Sequence, residues 1–262
     1  MDLQLTDKKV VLCGATGMLG RAIAQSLAAE GAHLALLGRN QAALAELATE
    51  LRPSTRARIE TIQCDLASAT STAQAIDAAD AALQGLDVFI SAAGAAQGGV
   101  FWEIDDAAWQ RHLEAKLFGT IRALREVAPR MVQRKAGRIV LIVGNSAKHP
   151  EPRMLPGAAA NAALLAIVRG LAEELGPHGI AINAVCPGPV HSSRWDNLLQ
   201  AAAAREGISR EEAERRFLAK AALQRLATAE DVAGHVTFLA SARAAHMTGT
   251  SIIVDGGSTK TP

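Results

Sequence analysis

The order of its apolar runs constrains this chain more than any other feature. Short, almost continuous apolar stretches at 10–13, 34–37, 59–63, 87–91, 138–143, 180–185 and 251–254 alternate with longer segments of helical period. Those longer segments cover 18–30, 41–51, 70–84, 106–134 and 158–175. Runs this short and this apolar suit strands buried on both faces. Strands separated by helices pair in parallel, and right-handed crossovers then place helices on both sides of the sheet. The expected fold is therefore an α/β doubly wound parallel sheet of about seven strands. No linker or shift of composition divides the chain, so 1–262 reads as a single domain. One stretch, 194–222, interrupts the alternation. Its Glu211/Arg215 and Glu212/Arg216 spacings suit a charged helix, either a lid over a substrate site or a plain surface helix.

Charge and cysteine content exclude several classes of function. Lys and Arg number 27 against 26 Asp and Glu. So even a balance argues against a nucleic-acid surface or an anionic membrane patch as the main partner. The first nine residues contain no apolar stretch of the signal-peptide kind, and no run approaches the length of a spanning helix. Cys13, Cys64 and Cys186 are too far apart for a zinc motif and too few for a disulfide framework. They read as buried thiols of a cytoplasmic protein, and no metal site is expected.

A nucleotide site is the strongest local signal. The first strand runs into Gly14-Ala15-Thr16-Gly17-Met18-Leu19-Gly20, immediately before the first helix. Glycines at such a turn let the backbone approach a pyrophosphate, and the helix N-terminus supplies free N–H groups and a positive dipole end. The second strand ends in Gly38-Arg39-Asn40. A carboxylate there would bind a ribose 2′-hydroxyl. Arg39 instead matches a 2′-phosphate, so NADP(H) is favoured over NAD(H); the alternative is a solvated arginine. Asp65, with Leu66 beside it, is placed to accept from an adenine amino group or simply to cap a turn.

Together these residues resemble the classical short-chain dehydrogenase/reductase family. The resemblance extends over essentially the whole chain. It continues through Ser91-Ala92-Ala93-Gly94, Trp109, Leu117-x-Gly119, Gly137-Arg138-Ile139-Val140, Asn183-Ala184-Val185-Cys186-Pro187-Gly188-Pro189-Val190, Glu230-Asp231-Val232-Ala233 and Val254-Asp255-Gly256-Gly257. The middle glycine of the phosphate turn is shifted, as in the family's extended branch. The resemblance implies a Rossmann-type dinucleotide fold, a small-molecule substrate and a homo-oligomer, dimer or tetramer. It also implies roles at individual positions. Gly14, Thr16, Gly17, Leu19 and Gly20 would lie along the pyrophosphate, with Arg39 and Asn40 at the far ribose. Ala92 and Gly94 would lie along the adenosine ribose. Pro187, Gly188 and Val190 would cover the nicotinamide, and Ser192 would bond its carboxamide.

The same resemblance exposes what is missing. Family members use a Tyr to exchange a proton with the substrate, a Lys four residues later, a Ser that orients the carbonyl, and an Asn on the long helix. Counting along the matching segments places Gly157, Asn161, Gly144 and Lys116 at those four positions, and the chain contains no tyrosine at all. Asn161 keeps an amide for a ribose hydroxyl but carries no charge to lower a neighbour's pKa. Losing the phenol is expected to open space beside the nicotinamide. Substitute groups stand nearby: Lys116, Ser146, Lys148 and His149, and also His191. Each is either a replacement acid or donor, or a solvated surface group. Three functions follow: an atypical NADP(H)-dependent oxidoreductase, a non-catalytic NADP(H) sensor or partner subunit, and a lyase or isomerase without net redox. Trp195, Leu198, Leu199, Phe217 and Leu218 would give a lid an apolar lining.

Overall fold

Every strand of the computed structural model, which describes residues 1–94 and 98–260, lies in one parallel sheet. The strands are β1 (Lys9–Cys13), β2 (His33–Gly38), β3 (Ile59–Gln63), β4 (Val88–Ser91), β5 (Gly137–Ile142), β6 (Ile180–Pro187) and β7 (Ser251–Val254). Their spatial order is β3-β2-β1-β4-β5-β6-β7, and each pair runs parallel. The helices are α1 (Met18–Ala29), α2 (Gln41–Leu51), α3 (Ala69–Leu83), α4 (Asp106–Leu113), α5 (Gly119–Arg134), α6 (Leu155–Leu175), α7 (Ser193–Glu206), α8 (Arg210–Leu218) and α9 (Ala229–Ala240).

Strand pleating divides the core in two. Val10 and Leu12 of β1 join Leu34 and Leu36 of β2 on the face covered by α1, α2 and α9, where Ile23, Leu27, Leu44, Leu47, Val232 and Val236 pack. Val11 and Cys13 point the other way, with Ala35 and Leu37, against Ile76 of α3, Val127 and Met131 of α5, and Leu164 and Val168 of α6. Both faces are apolar, which explains why the strands read as continuous runs.

The larger departures from the sequence reading lie in two helices. The segment 106–134 is not one α-helix, because Glu114–Phe118 winds as a π-helix between α4 and α5. A π segment adds a residue to the turn and is a common device at functional sites. Glu114 pairs with Arg122 at 2.5 Å across this segment. Helix α6 starts at Leu155 rather than 158, taking Pro156 and Gly157 into its first turn; proline is well tolerated there because the N–H it lacks would have no helix partner. Finally, Leu155–His178 is long and apolar enough to cross a membrane by length and composition, against the expectation that no run comes near that length. Alanines supply much of that apolarity, and Leu164, Val168, Ala172 and Leu175 are spent on the sheet's core.

Candidate active site

The strand order reverses between β1 and β4, and the crevice at their carboxyl ends is where such sheets bind ligands. Gly14 turns the chain with φ 77°, and the N–H groups of Gly14 and Ala15 both donate to the Leu37 carbonyl, at 2.9 and 3.1 Å. A Cβ on Gly14 would stand 2.7 Å from Ala93 N, so the turns after β1 and β4 approach as backbones. Gly20 seats α1 on this turn, because any side chain there would run into the Gly14 carbonyl. Gly17 is different. A Cβ there would meet only an ordinary contact of 3.4 Å with Gly14 O, and its place is the N-cap of α1. Among the described residues no side chain caps that helix, and no acidic residue lies in its first turn, which suits its first N–H groups to an anion. Thr16 and Leu19 lie beside it, Thr16 half-buried and Leu19 likewise.

Next to the turn lies an open groove of about 650 Å³ lined by Thr16, Arg39, Asn40, Gln41, Ala42 and Gln63. Its lining holds one cation and no carboxylate. Arg39 and Asn40 are exposed. Gln63 Nε2 donates to the Arg39 carbonyl at 3.0 Å, fixing the backbone beneath the guanidinium. The Asn40 side chain caps α2 by accepting from Ala43 N at 3.2 Å. Asp65 caps a turn, with Oδ1 accepting from Ala67 N at 3.1 Å, and its N–H donates to Ser71 Oγ at 3.0 Å. The Leu66 carbonyl accepts from Arg122 at 3.1 Å, and a Cβ on Gly119 would stand 2.9 Å from Leu66 Cβ.

The other half of the crevice gathers the ends of β4, β5, β6 and β7. Ala92 N donates to the Cys13 carbonyl at 2.9 Å. Gly94 has φ 105°, and the aliphatic stem of Lys116 lies so close that an added Cβ would stand 3.0 Å from Lys116 Cβ and Cγ. Pro187 ends β6. Gly188 N donates to Val254 O at 3.0 Å, and its missing side chain makes room for Asp255, whose Cβ would be 2.6 Å away. Val190 is buried. The Ser192 hydroxyl is engaged locally: it donates to Val190 O and accepts from Trp195 N, both at 3.1 Å, as the N-cap of α7. His191 is exposed.

Gly144, Ser146 and Asn161 come into direct contact. Asn161 is 6% exposed, its Nδ2 donates to Ser146 Oγ at 2.9 Å, and its Oδ1 is buried with no partner among the described residues. Gly144 has φ 80°, and a Cβ there would stand 2.9 Å from the same Nδ2. Gly157 is buried in the first turn of α6. Lys148 is half-buried and His149 exposed; both N–H groups donate to the Asn145 carbonyl, at 2.9 and 3.0 Å. Burial pushes the Cys186 thiol up to about 11, while Lys148 and Lys116 pull it down and Asp255 pushes it further up. The two lysines therefore act on one buried atom at the end of β6.

Sequence reading missed the clasp behind these groups. Asn145 Nδ2 lies 3.3 Å from Asp255 Oδ2 and 3.4 Å from Thr259 Oγ1, donating to both. Asp255 also accepts from Ser258 Oγ and Thr259 N, at 2.9 and 2.8 Å. Burial alone would raise its pKa, but the hydrogen bonds from Thr259, Ser258 and Asn145 outweigh burial and hold it below the ordinary value. No spacing along the chain links 145 to 255. In the 194–222 stretch, Trp195 and Phe217 meet edge-on at 4.4 Å and pack with Leu199 and Leu218 in a small cluster of their own, while Leu198 is exposed. Trp195, Leu199, Phe217 and Leu218 thereby hold α7 to α8. Glu212 pairs with Arg216 at 2.6 Å and with Arg215.

A family model described as enoyl-(acyl carrier protein) reductase matches residues 14–259. Nodulation protein G of Rhizobium meliloti (strain 1021) is 30% identical over 254 residues, covering 97% of this chain and 98% of the relative. L-sorbose reductase from Gluconobacter frateurii, solved with NADPH and L-sorbose, superposes with a TM-score of 0.92 at 26% identity over all of both chains. A point variant of actinorhodin polyketide ketoreductase, solved with NADPH, gives a TM-score of 0.91 at 29% identity, over 97% of this chain and 98% of the other.

Proposed function

The chain belongs to the short-chain dehydrogenase/reductase family, and from that premise we propose that it is an atypical NADP(H)-dependent oxidoreductase acting on the carbonyl or alcohol of a small molecule. The observation that carries the cofactor choice is the groove of Thr16, Arg39 and Asn40, which offers a cation and no carboxylate beside the phosphate turn. An arginine fork suits a phosphate, and a carboxylate there would repel it. Two similar structures were solved with NADPH.

The residues fit that cofactor. The uncapped N-terminus of α1, with Gly14, Thr16, Gly17, Leu19 and Gly20, would hold the pyrophosphate. Arg39 and Asn40 would hold the 2′-phosphate, and Asp65 and Leu66 the adenine side. Ala92 and Gly94 would follow the adenosine ribose. Pro187, Gly188, Val190 and Ser192 would flank the nicotinamide. The orphaned Oδ1 of Asn161 is a buried acceptor that calls for a donor, such as a ribose hydroxyl. When bound, the cofactor supplies or accepts a hydride.

What the chain omits is the usual proton transfer. Lys116, Gly144, Gly157 and Asn161 take the places of the family's Asn, Ser, Tyr and Lys, and no tyrosine is available elsewhere. General acid–base catalysis is worth roughly 10²–10⁴-fold, so turnover of ordinary ketones is expected to be slow. Ser146, Lys116 and Lys148 would be the groups to assist a substrate oxygen; His149, which is exposed, is the weakest candidate. Residues 194–222 would serve as a lid over the substrate, and the same chain is proposed to assemble as a cytoplasmic homodimer or tetramer.

Titration of the purified protein with NADPH and NADH tests this reading. Micromolar NADPH binding with much weaker NADH supports it, and no binding of either refutes it. Binding without turnover on any carbonyl or alcohol would favour a sensor or partner subunit, the reading that the vacated positions support. Turnover without a change in nicotinamide absorbance would indicate a lyase or isomerase.

A further inference from the structure

The Asn161 carboxamide is placed so that it has few ways to act. It is almost fully buried, so water does not compete for it. Its Nδ2 is committed to Ser146 Oγ at 2.9 Å, and it closes the space beside Gly144. Ser146 sits on the turn Asn145–Ala147 directly after β5 and is only half-buried. A serine hydroxyl has one proton and two lone pairs. With one lone pair occupied by the amide N–H, the proton is left to donate away from α6. The amide at position 161 thus leaves the hydroxyl two residues beyond Gly144 with its proton free to donate.

We propose that Ser146 is the catalytic hydrogen-bond donor to the reacting oxygen of a carbonyl substrate, and that Asn161 is the positioning residue that keeps its proton turned outward. This rests on the oxidoreductase reading above. As the carbonyl carbon accepts a hydride from reduced nicotinamide, the C=O π pair moves onto oxygen. Ser146 stabilises that oxygen by its hydrogen bond and keeps its own proton. Water supplies the proton that completes the alcohol. Such a site suits electrophilic carbonyls, quinones and 1,2-diketones above all, whose reduced oxygens need little acid assistance.

The test has two parts. In the cofactor-free protein, thermal stability is measured for Asn161→Ala, Ser146→Ala and the double variant. The hydrogen bond predicts that the two losses are not additive. In the second part, oxidation of NADPH by 9,10-phenanthrenequinone is followed across pH. Ser146→Ala should lower kcat by roughly 10²-fold, as loss of a donor to a developing oxyanion does, with the Kd for NADPH within about twofold of wild type. Asn161→Asp keeps the shape but replaces the N–H with an acceptor, so the Ser146 proton turns inward. Its kcat should be low at high pH and recover as pH falls and the new carboxyl, raised in pKa by burial, regains a proton to donate. A merely structural role would not produce that recovery. The proposal is overturned by additive stability losses, by a kcat unmoved in Ser146→Ala, or by Asn161→Asp behaving as wild type at every pH. It is also overturned if wild type binds NADPH and leaves the quinone unreduced. Failure to bind NADPH would instead refute the oxidoreductase reading, while the stability cycle still reports on the Ser146–Asn161 unit.

Discussion

Gly144→Ala is the perturbation whose consequence follows most directly from the geometry. The backbone at 144 has φ 80° and ψ 140°, a region that residues with a Cβ avoid at a cost of about 1–3 kcal/mol. The new methyl would also stand 2.9 Å from Asn161 Nδ2. An exposed side-chain tip would swing away at little cost. This one is buried and held by Ser146, so moving it breaks a hydrogen bond worth about 1 kcal/mol. The sum is about 2–4 kcal/mol. For a chain of this size, each kcal/mol lowers Tm by about 2–4 °C, so the variant should melt roughly 5–15 °C below wild type. Differential scanning calorimetry on the cofactor-free protein measures it. Adding Asn161→Ala removes the contact but not the backbone strain. The double variant should therefore be less destabilised than the sum of its parts, by about 1 kcal/mol. A fall of less than about 2 °C for Gly144→Ala would refute the argument, because it would mean that the turn relaxes freely and the Asn161 amide is not confined.

Other expectations follow from single sites. Arg39→Ala should weaken NADPH by about 10- to 100-fold, the worth of a charge-assisted hydrogen bond, and leave NADH unchanged; parallel calorimetric titrations check it. Gly20→Ala should abolish binding and lower Tm, since the methyl meets the backbone of Gly14 and Ala15 rather than a movable side chain; circular dichroism and NADPH titration separate the two losses. Asp231 is held at about 2, below its ordinary 3.8, first by the Arg225 hydrogen bond and then by Thr228 N–H. A depressed carboxyl stabilises the fold above its ordinary pKa and loses that contribution as pH falls through the lower value. Asp231→Asn should therefore make the loss of stability between about pH 4 and pH 2 shallower in acid titrations, by a small amount because the pair is at the surface. Cys13, Cys64 and Cys186 are buried and burial raises all three thiols. An aromatic disulfide reagent at mildly alkaline pH should label them only slowly in the native protein and fully after denaturation.

Much of this architecture was readable along the chain because its determinants are local. Runs such as 10–13 and 34–37 are apolar at every position and short, which suits a strand covered on both faces. The glycine turn between β1 and α1 was legible for the same reason: Gly14 and Gly20 are demanded by the close approach of backbone around the turn. Arg39 was legible as the side chain that follows β2 beside that turn. By contrast, the π segment at Glu114–Phe118 leaves no periodic signature, since one added residue per turn is too small a shift to separate from an ordinary helix in so short a stretch. The apolar residues of 194–222 were visible, but their direction was not. Trp195 and Phe217 satisfy each other across α7 and α8, and a sequence cannot say which of two apolar surfaces a side chain will choose.

The vacated positions show the same division most clearly. Sequence alone establishes that the chain has no tyrosine, and family resemblance is what puts Gly144, Gly157 and Asn161 at the positions proposed to be vacated. It also allowed Ser146 as a substitute, without a reason to prefer it over Lys148 or His149. The grounds for the Ser146 proposal are tertiary. The fold left His149 exposed, turned the Asn161 amide onto Ser146, and brought the turn after β7 behind Asn145 through Asp255 and Thr259. These contacts join residues 15 to 114 positions apart. Helix and strand periodicity are fixed by steric and hydrogen-bonding rules a few residues long. Which side chain receives a given proton depends on distances that exist only once the segments have packed.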